Sequence, residues 1–502
     1  MIASKHITKI ALALVAIALI LCILAMGFSG ILSKTVVAPV YSMEYETELF
    51  DTDQILTVDI VMEEESWNEM LQNAMRETYY QCDVVINGTT FYSVGIRPKG
   101  NTSLSSIAND PDNNRYSFKL EFDQFTEGQT CFGLDKLALN NNYADMTNMK
   151  EAIIYDMYRY IGVDAPLCNY AKVSVNGQYW GVYLAVEAIE DSFLLRNYGT
   201  ENGKLYKPDN MNHTNREKNA EDSQTAEGKR PGGMGRGGGS DLNYTNDSLT
   251  SYSSIWNGAV TDSNDADHRR VVTALKNISE AKNPEKYLDV DNLLKYMAVH
   301  IFSVNDDSLS GNMAHNYYLY EAGGRLNILP WDYNLAFGGM GRGGSGESVV
   351  NDPIDSPFSM TNFFNPLLKT EEYLKTYHSY HNQLVEDYVF GGKFEETYNR
   401  IRTQIDELVK TDPNAMYSYE DYTKAAEMLH ETVLLRAESI RGQLAGTIPS
   451  TEEAQRANPD SLIDASSIDT SVMAEFMGGG MPGNRHPFGE NRTTSQGKET
   501  KK

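Results

Sequence analysis

The chain is poor in cysteine. It has four among 502 residues, at 82, 131, 168 and, inside an apolar run, 22, with no C-x-x-C pair. A disulfide scaffold and a thiolate zinc site are excluded on that count. The nine histidines form no H-E-x-x-H, and Ser345 lacks the second glycine of G-x-S-x-G, which removes the usual marks of a zinc protease and an α/β-hydrolase. Positive charge is also short: 43 Lys and Arg against 69 Asp and Glu give a formal net charge of −26. A chain this acidic is no sequence-independent nucleic-acid binder. What is present is globular, with 41% hydrophobic and 22% charged residues over a length that allows two or three compact domains or one large two-lobed domain.

Only one hydrophobic run is long. Residues 10–28 are 19 consecutive apolar or small residues, and at about 1.5 Å per helical residue they match the hydrocarbon core of a bilayer. Lys5 and Lys9 precede the run and Lys34 follows it, an asymmetry that keeps the N-terminus in the cytoplasm and exports the rest. Residues 1–33 therefore read as a membrane-anchoring helix. With Val36-Val37-Ala38 as a small-residue cleavage site, they read alternatively as a signal peptide that is removed.

The exported part begins with β-rich runs around Asn87-Gly88, a favoured hairpin dipeptide, followed by a polar loop and a third strand, Tyr116-Ser-Phe-Lys119, with a lysine on its polar face. Asp145 and Thr147 are candidate caps for a helix over 148–161, stopped by Gly162. A second Asn-Gly hairpin, at Asn176-Gly177, ends in Glu187. From about 210 to 264 the composition shifts to Asn, Ser, Asp and Gly without hydrophobic period, which predicts a flexible insertion. Helices are expected around 271–277 and 290–302, then a hairpin across Gly323-Gly324 running into Trp331-Asp332-Tyr333-Asn334, then three long amphipathic helices to about 445. The Ser/Asp/Gly/Met-rich residues 447–502 read as a disordered tail.

Two stretches satisfy G-x-G-x-x-G, from Gly233 and from Gly339, but neither has a strand before it and a helix after it, so both read as loops. The stronger signal is a series of polar residues at element ends: Asp307 after a helix, Asn316 before a strand, Asp332 after the next strand, and Asn334 beyond it. Hard oxygen donors arriving from neighbouring loops suit Mg²⁺, which is typically held by one or two carboxylates plus substrate phosphates. Upstream, Lys119 is the candidate to neutralise phosphate, and Glu151, at a helix start, the candidate to pair with it. Strand lysine, helix glutamate, loop Asp, Asn and Asp is the order in which protein kinases present their parts, although H-R-D and D-F-G are missing.

Five strings together, Arg97-Pro-Lys-Gly-Asn-Thr-Ser103, Tyr116-Ser-Phe-Lys119, Val175-Asn-Gly-Gln-Tyr-Trp-Gly-Val-Tyr183 with Glu187, His315-Asn-Tyr-Tyr-Leu-Tyr320 and Leu329-Pro-Trp-Asp332-Tyr-Asn, make the chain resemble the spore coat protein H (CotH) kinase family over roughly 55–440. The resemblance implies an α+β, divergent protein-kinase-like two-lobed fold: an N-lobe over about 55–200, the insertion at about 210–264, and a C-lobe over about 265–440. It further implies ATP-dependent phosphorylation of protein Ser or Thr hydroxyls, with coat or surface proteins as partners. Asp332 and Asn316 would hold Mg²⁺ or Mn²⁺, and Asp307 would be the catalytic Asp, ambiguous by one with Asp306. Lys119 would contact phosphate with Glu151 behind it. Lys99, Asn101 and Glu187 would line the nucleotide site, Glu187 near the adenine. Two other readings stand beside this one: a non-catalytic coat or surface assembly protein with the same fold, and an extracellular carbohydrate-active or adhesion protein using the 31 tyrosines and an acidic face.

Overall fold

The computed structural model describes residues 42–208, 238–311, 313–340, 345–356 and 361–474. The predicted anchor at 10–28 and most of both glycine-rich motifs lie outside the described residues; among those described, no helix is long and apolar enough to cross a membrane.

The first half folds into seven strands: β1 (Leu56–Val61), β2 (Tyr80–Ile86), β3 (Thr89–Lys99), β4 (Ser117–Glu121), β5 (Lys136–Asn140), β6 (Cys168–Val175) and β7 (Gln178–Glu187). They close into a barrel in the order β1-β2-β3-β4-β5-β7-β6. The closing seam is parallel, β1 on β6, with Leu56 opposite Ala171 and Ile60 opposite Val175. Both Asn-Gly turns form as their residues dictate, with Asn87 and Gly88 at φ +49° and +84° and Asn176 and Gly177 at +50° and +77°, the left-handed pair that a two-residue hairpin needs. Alternation divides each strand between two surroundings. Ile96, Phe118, Leu120, Leu137, Leu139, Tyr183 and Ala185 fill the barrel, while Val182, Leu184 and Val186 of β7 face outward into a second core.

That second core is built by helices. Helix α1 (Lys150–Ile161) lies on the barrel wall through Ile153, Ile154, Met157 and Tyr158. Behind it come α2 (Val290–Ser303), α3 (Glu371–Asn382), α4 (Lys393–Lys410) and α5 (Tyr419–Leu444). A three-stranded sheet in the order β10-β9-β8 joins β8 (Lys204–Tyr206) to the hairpin of β9 (Tyr317–Ala322) and β10 (Arg325–Pro330). Buried Arg436 of α5 donates to the carbonyls of Ile301 at 3.0 Å and Asp352 at 2.5 Å. It thereby clasps the C-terminal end of α2, where unpaired carbonyls favour a cation. The two units are pinned by Arg115, before β4, and Asp412, after α4, which pair at 2.5 Å with side chains 3% and 2% exposed.

This architecture corrects the two-lobed protein-kinase-like expectation. The strands expected in an N-lobe close into a barrel together with β1 and β5, which local pattern did not predict, and β8, just beyond that stretch, pairs with β9. Short-range alternation identifies strands and hairpins; it carries no signal for a parallel pairing between residues more than a hundred positions apart. The flexible insertion and the disordered tail need correction over their described residues. Residues 238–264 are structured, with Leu242, Tyr252 and Ile255 buried. Beyond Gly446 the chain stays packed to residue 474, burying Ile448, Ala465, Ile468 and Met473 and bridging Ala474 to Asp145. In both segments a few apolar residues, too sparse to set a period, find a site on a core already built.

Candidate functional site

Between the outer face of the barrel, the start of α1 and the β9–β10 hairpin lies a cleft of about 530 Å³. Its barrel wall follows from register. Arg97 of β3 stands opposite Lys119 of β4, Lys99 opposite Ser117, and Lys119 opposite Ala138 of β5. All of these belong to the outward set, whose inward neighbours fill the barrel.

The cleft gathers Lys99, Asn101, Lys119, Glu151, Asp307, Asn316 and Asp332. The expected pairing of Lys119 with Glu151 does not form. Lys119 is bound to Glu190, which also holds Lys136. Lys99, one row further along the same wall, takes the place expected for Lys119. Its Nζ donates to Asn140 Oδ1 at 2.5 Å, and Asn140 Nδ2 donates to Glu151 Oε2 at 2.9 Å, so one amide relays between lysine and glutamate. Burial pulls the Lys99 ammonium down to about 8, against the opposing field of Asp332. Burial, and then the charge of Asp332, pushes the Glu151 carboxyl up to about 7.

Glu151 is fixed by its helix start. The buried Asp145 carboxylate accepts from the Thr147 backbone N–H at 2.9 Å and from that of Lys150 at 3.1 Å, capping the first turn of α1.

On the opposite wall, His315 Nε2 contacts Asp307 Oδ1 at 2.7 Å, and Asn316 Nδ2 donates to the Asp307 carbonyl at 2.8 Å and to its Oδ2 at 3.1 Å. Asp307 is the aspartate that lines the cleft; Asp306 does not. Asn305 Nδ2 holds the Asp332 carbonyl at 3.1 Å, and Asn334 Nδ2 ties the same loop to the Tyr143 carbonyl at 2.8 Å. Asn316 and Asp332 both sit in the left-handed region, at φ +57° and +62°, a conformation that costs roughly 1 kcal/mol or more for a non-glycine residue and that collects at functional sites. Burial, then the neighbouring Asp307 charge, raises the Asp332 carboxyl above its usual range, while Lys99, Lys207 and His315 oppose the rise.

Glu187 is elsewhere. It is fully buried, accepting from Arg196 Nη2 at 2.6 Å, Tyr45 Oη at 2.6 Å and the Leu167 N–H at 3.0 Å, so its expected place near an adenine is corrected to a structural one. Its partners are fixed by tertiary contacts that the end of a hairpin does not foretell. Sequence reasoning missed Asn140 as the relay, His315 as the partner of Asp307, and Lys207. The Asn140-Asn141-Asn142 run, which starts on the last residue of β5, was the available signal for the first; Lys207, at the edge of a polar segment, gave none.

Among the described residues, no three His, Cys, Asp or Glu side chains gather as a metal cage. Asp332 and the Asn316 amide line the cleft together, with Asp307 held beside them, and these two oxygen donors suit a hard cation sharing its remaining positions with water and phosphate. Fold and cleft together define an α+β barrel-and-helix protein whose site carries the residue types used on phosphate groups: lysines, hard oxygen donors and a held aspartate. Residues 96–440 match the family model described as CotH kinase protein, and the chain belongs to that family. It is also similar to the inner spore coat protein H of Bacillus subtilis (strain 168), 24% identical over 338 residues, a match covering 64% of this chain and 82% of the relative.

Proposed function

We propose that this chain is a metal-dependent protein kinase that transfers the γ-phosphate of ATP to Ser or Thr hydroxyls of coat or surface proteins, in an extracytoplasmic or coat location. The observation that carries the reading is the convergence of Lys99, Glu151, Asp307, Asn316 and Asp332 in one cleft. The family's description and the relative's name support the activity and the location. The reading rests on the site and not on the barrel, since one chemistry recurs on unrelated folds.

The residues fit a divalent ion and a nucleotide. Asp332 and Asn316 are hard oxygen donors, and the cleft volume falls within the range of small-molecule sites. Asp332 and Asn316 would hold Mg²⁺ or Mn²⁺, which when bound neutralises charge on phosphate oxygens. Lys99, kept in register by Asn140 and Glu151, draws the phosphates against the barrel wall. Asp307, held on one oxygen by His315 and on the other by Asn316, orients the acceptor hydroxyl and takes its proton. The hydroxyl oxygen then bonds to the γ-phosphorus, the bond from that phosphorus to the bridging oxygen breaks, and ADP leaves.

The test is incorporation from labelled ATP into a Ser-rich acceptor by the full chain with Mg²⁺ or Mn²⁺, beside Asp332→Ala. Incorporation that disappears in the variant is expected. No incorporation, together with no metal-dependent ATP binding in calorimetry, would overturn the reading and leave a non-catalytic coat or surface binding protein.

A further inference from the structure

Lys207 lines the same cleft from the wall opposite Lys99. Its backbone is fixed immediately after β8: the Lys207 N–H donates to the Gly258 carbonyl at 2.7 Å, and Tyr206 bridges to Ala259. A Cβ at position 258 would overlap the Lys207 carbonyl, so Gly258 is what allows this close approach. From there the side chain crosses two rings, with Nζ 5.4 Å from the centroid of Tyr318 and 5.3 Å from that of Trp331. Lys99 reaches the same indole from the barrel, with Nζ 5.6 Å from its centroid.

Two ammoniums on one aromatic ring each gain from the ring face, yet they repel one another; the charge of Lys207 opposes the protonation of Lys99. Both also face Asp332. Like charges gathered at one spot, beside a carboxylate suited to a hard cation, are complementary to a single anion carrying several charges along its length. A polyphosphate chain has that form. A carboxylate carries one charge against two ammoniums, whereas a polyphosphate carries enough for both.

We infer that Lys207 and Lys99 form a two-lysine clamp for a polyphosphate chain, with Trp331 as its floor and Lys207 on the phosphoryl group nearest Asp332. The part of Lys207 in transfer rests on the kinase reading; the clamp as a binding site does not. During transfer, Lys207 would offset charge on the departing phosphoryl oxygens from the side opposite Lys99.

The experiment is calorimetry on the full chain with Mg²⁺ and three probes, inorganic tripolyphosphate, ATP and adenosine, for wild type, Lys207→Met, Lys207→Gln and Lys207→Arg, with thermal melts to confirm folding. Because each removes one charge-assisted interaction, Met and Gln are expected to weaken tripolyphosphate and ATP by the same factor, roughly 10- to 100-fold, while adenosine is unaffected and Arg retains most of the affinity. Tripolyphosphate affinity within twofold of wild type in Lys207→Met and Lys207→Gln would overturn the clamp, as would a wild type that does not bind tripolyphosphate. A wild type that binds tripolyphosphate through Lys207 but transfers no phosphate from ATP would uphold the clamp and overturn the kinase reading. Where transfer occurs, kcat for Lys207→Met is expected to fall at least tenfold.

Discussion

Glu151→Gln separates charge from shape at the centre of the cleft. The Lys99 ammonium and the Glu151 carboxylate lie at opposite ends of one amide, 2.5 Å and 2.9 Å from its atoms. Their charges are therefore at most about 8 Å apart, which at an effective dielectric near 20 is worth roughly 2 kcal/mol, or about 1.5 pKa units. Glutamine keeps the volume and can still meet Asn140, but it removes that charge. Lys99 attracts phosphate only while protonated, and it loses its proton as the pH rises through its pKa, about 8 in the intact cleft. Glu151 raises that pKa, so its removal lowers it. The alkaline limb of affinity should therefore move acidward in the variant, by on the order of one pH unit. The assay is calorimetric titration of tripolyphosphate or ATP with Mg²⁺ from pH 5.5 to 9.5 at constant ionic strength. An alkaline limb that coincides in the two proteins would refute the relay through Asn140, even if affinity fell at every pH.

Two further predictions concern the frame around the cleft. Asp412→Ala strands the buried Arg115 guanidinium, which also donates to the Val182 carbonyl; a loss of about 3–5 kcal/mol is expected, read as a lower denaturation midpoint in urea. Ending the chain after Gly446 removes Ile448, Ala465, Ile468 and Met473 from buried sites, for a loss of about 5 kcal/mol. Overlaying denaturation curves for the truncated and full chains would show that the segment contributes nothing.

Much of the site was legible because its residues sit where local signals end. Asp307 follows α2, Asn316 precedes β9, and Asp332 follows β10, and polar residues of metal- and phosphate-binding type at such points stand out against the hydrophobic period on either side. The Asn-Gly turns and α1 were equally readable, since turn geometry and helical spacing are properties of neighbouring residues. The choice between Lys99 and Lys119 was not. Both point outward from adjacent strands, and only the register, with Lys99 opposite Ser117 and Lys119 opposite Arg97, together with the capture of Lys119 by Glu190, decides which lysine meets Glu151.

The sequence by itself determined the three hairpins, the strand that carries Lys119, the principal helices, the acidic net charge, and the set of oxygen donors at element ends, because each depends on residue type and short-range spacing; β1, β5 and β8 left no such local mark. Only the tertiary structure decided that the first-half strands close into a barrel through the parallel seam of β1 and β6, that Glu187 is locked to Arg196, and that residues 447–474 are packed. It also decided that Lys207 lies across the cleft from Lys99. Each of these is a contact between distant positions, selected by the burial and pairing available once the rest of the chain is folded, and local pattern carries no record of it.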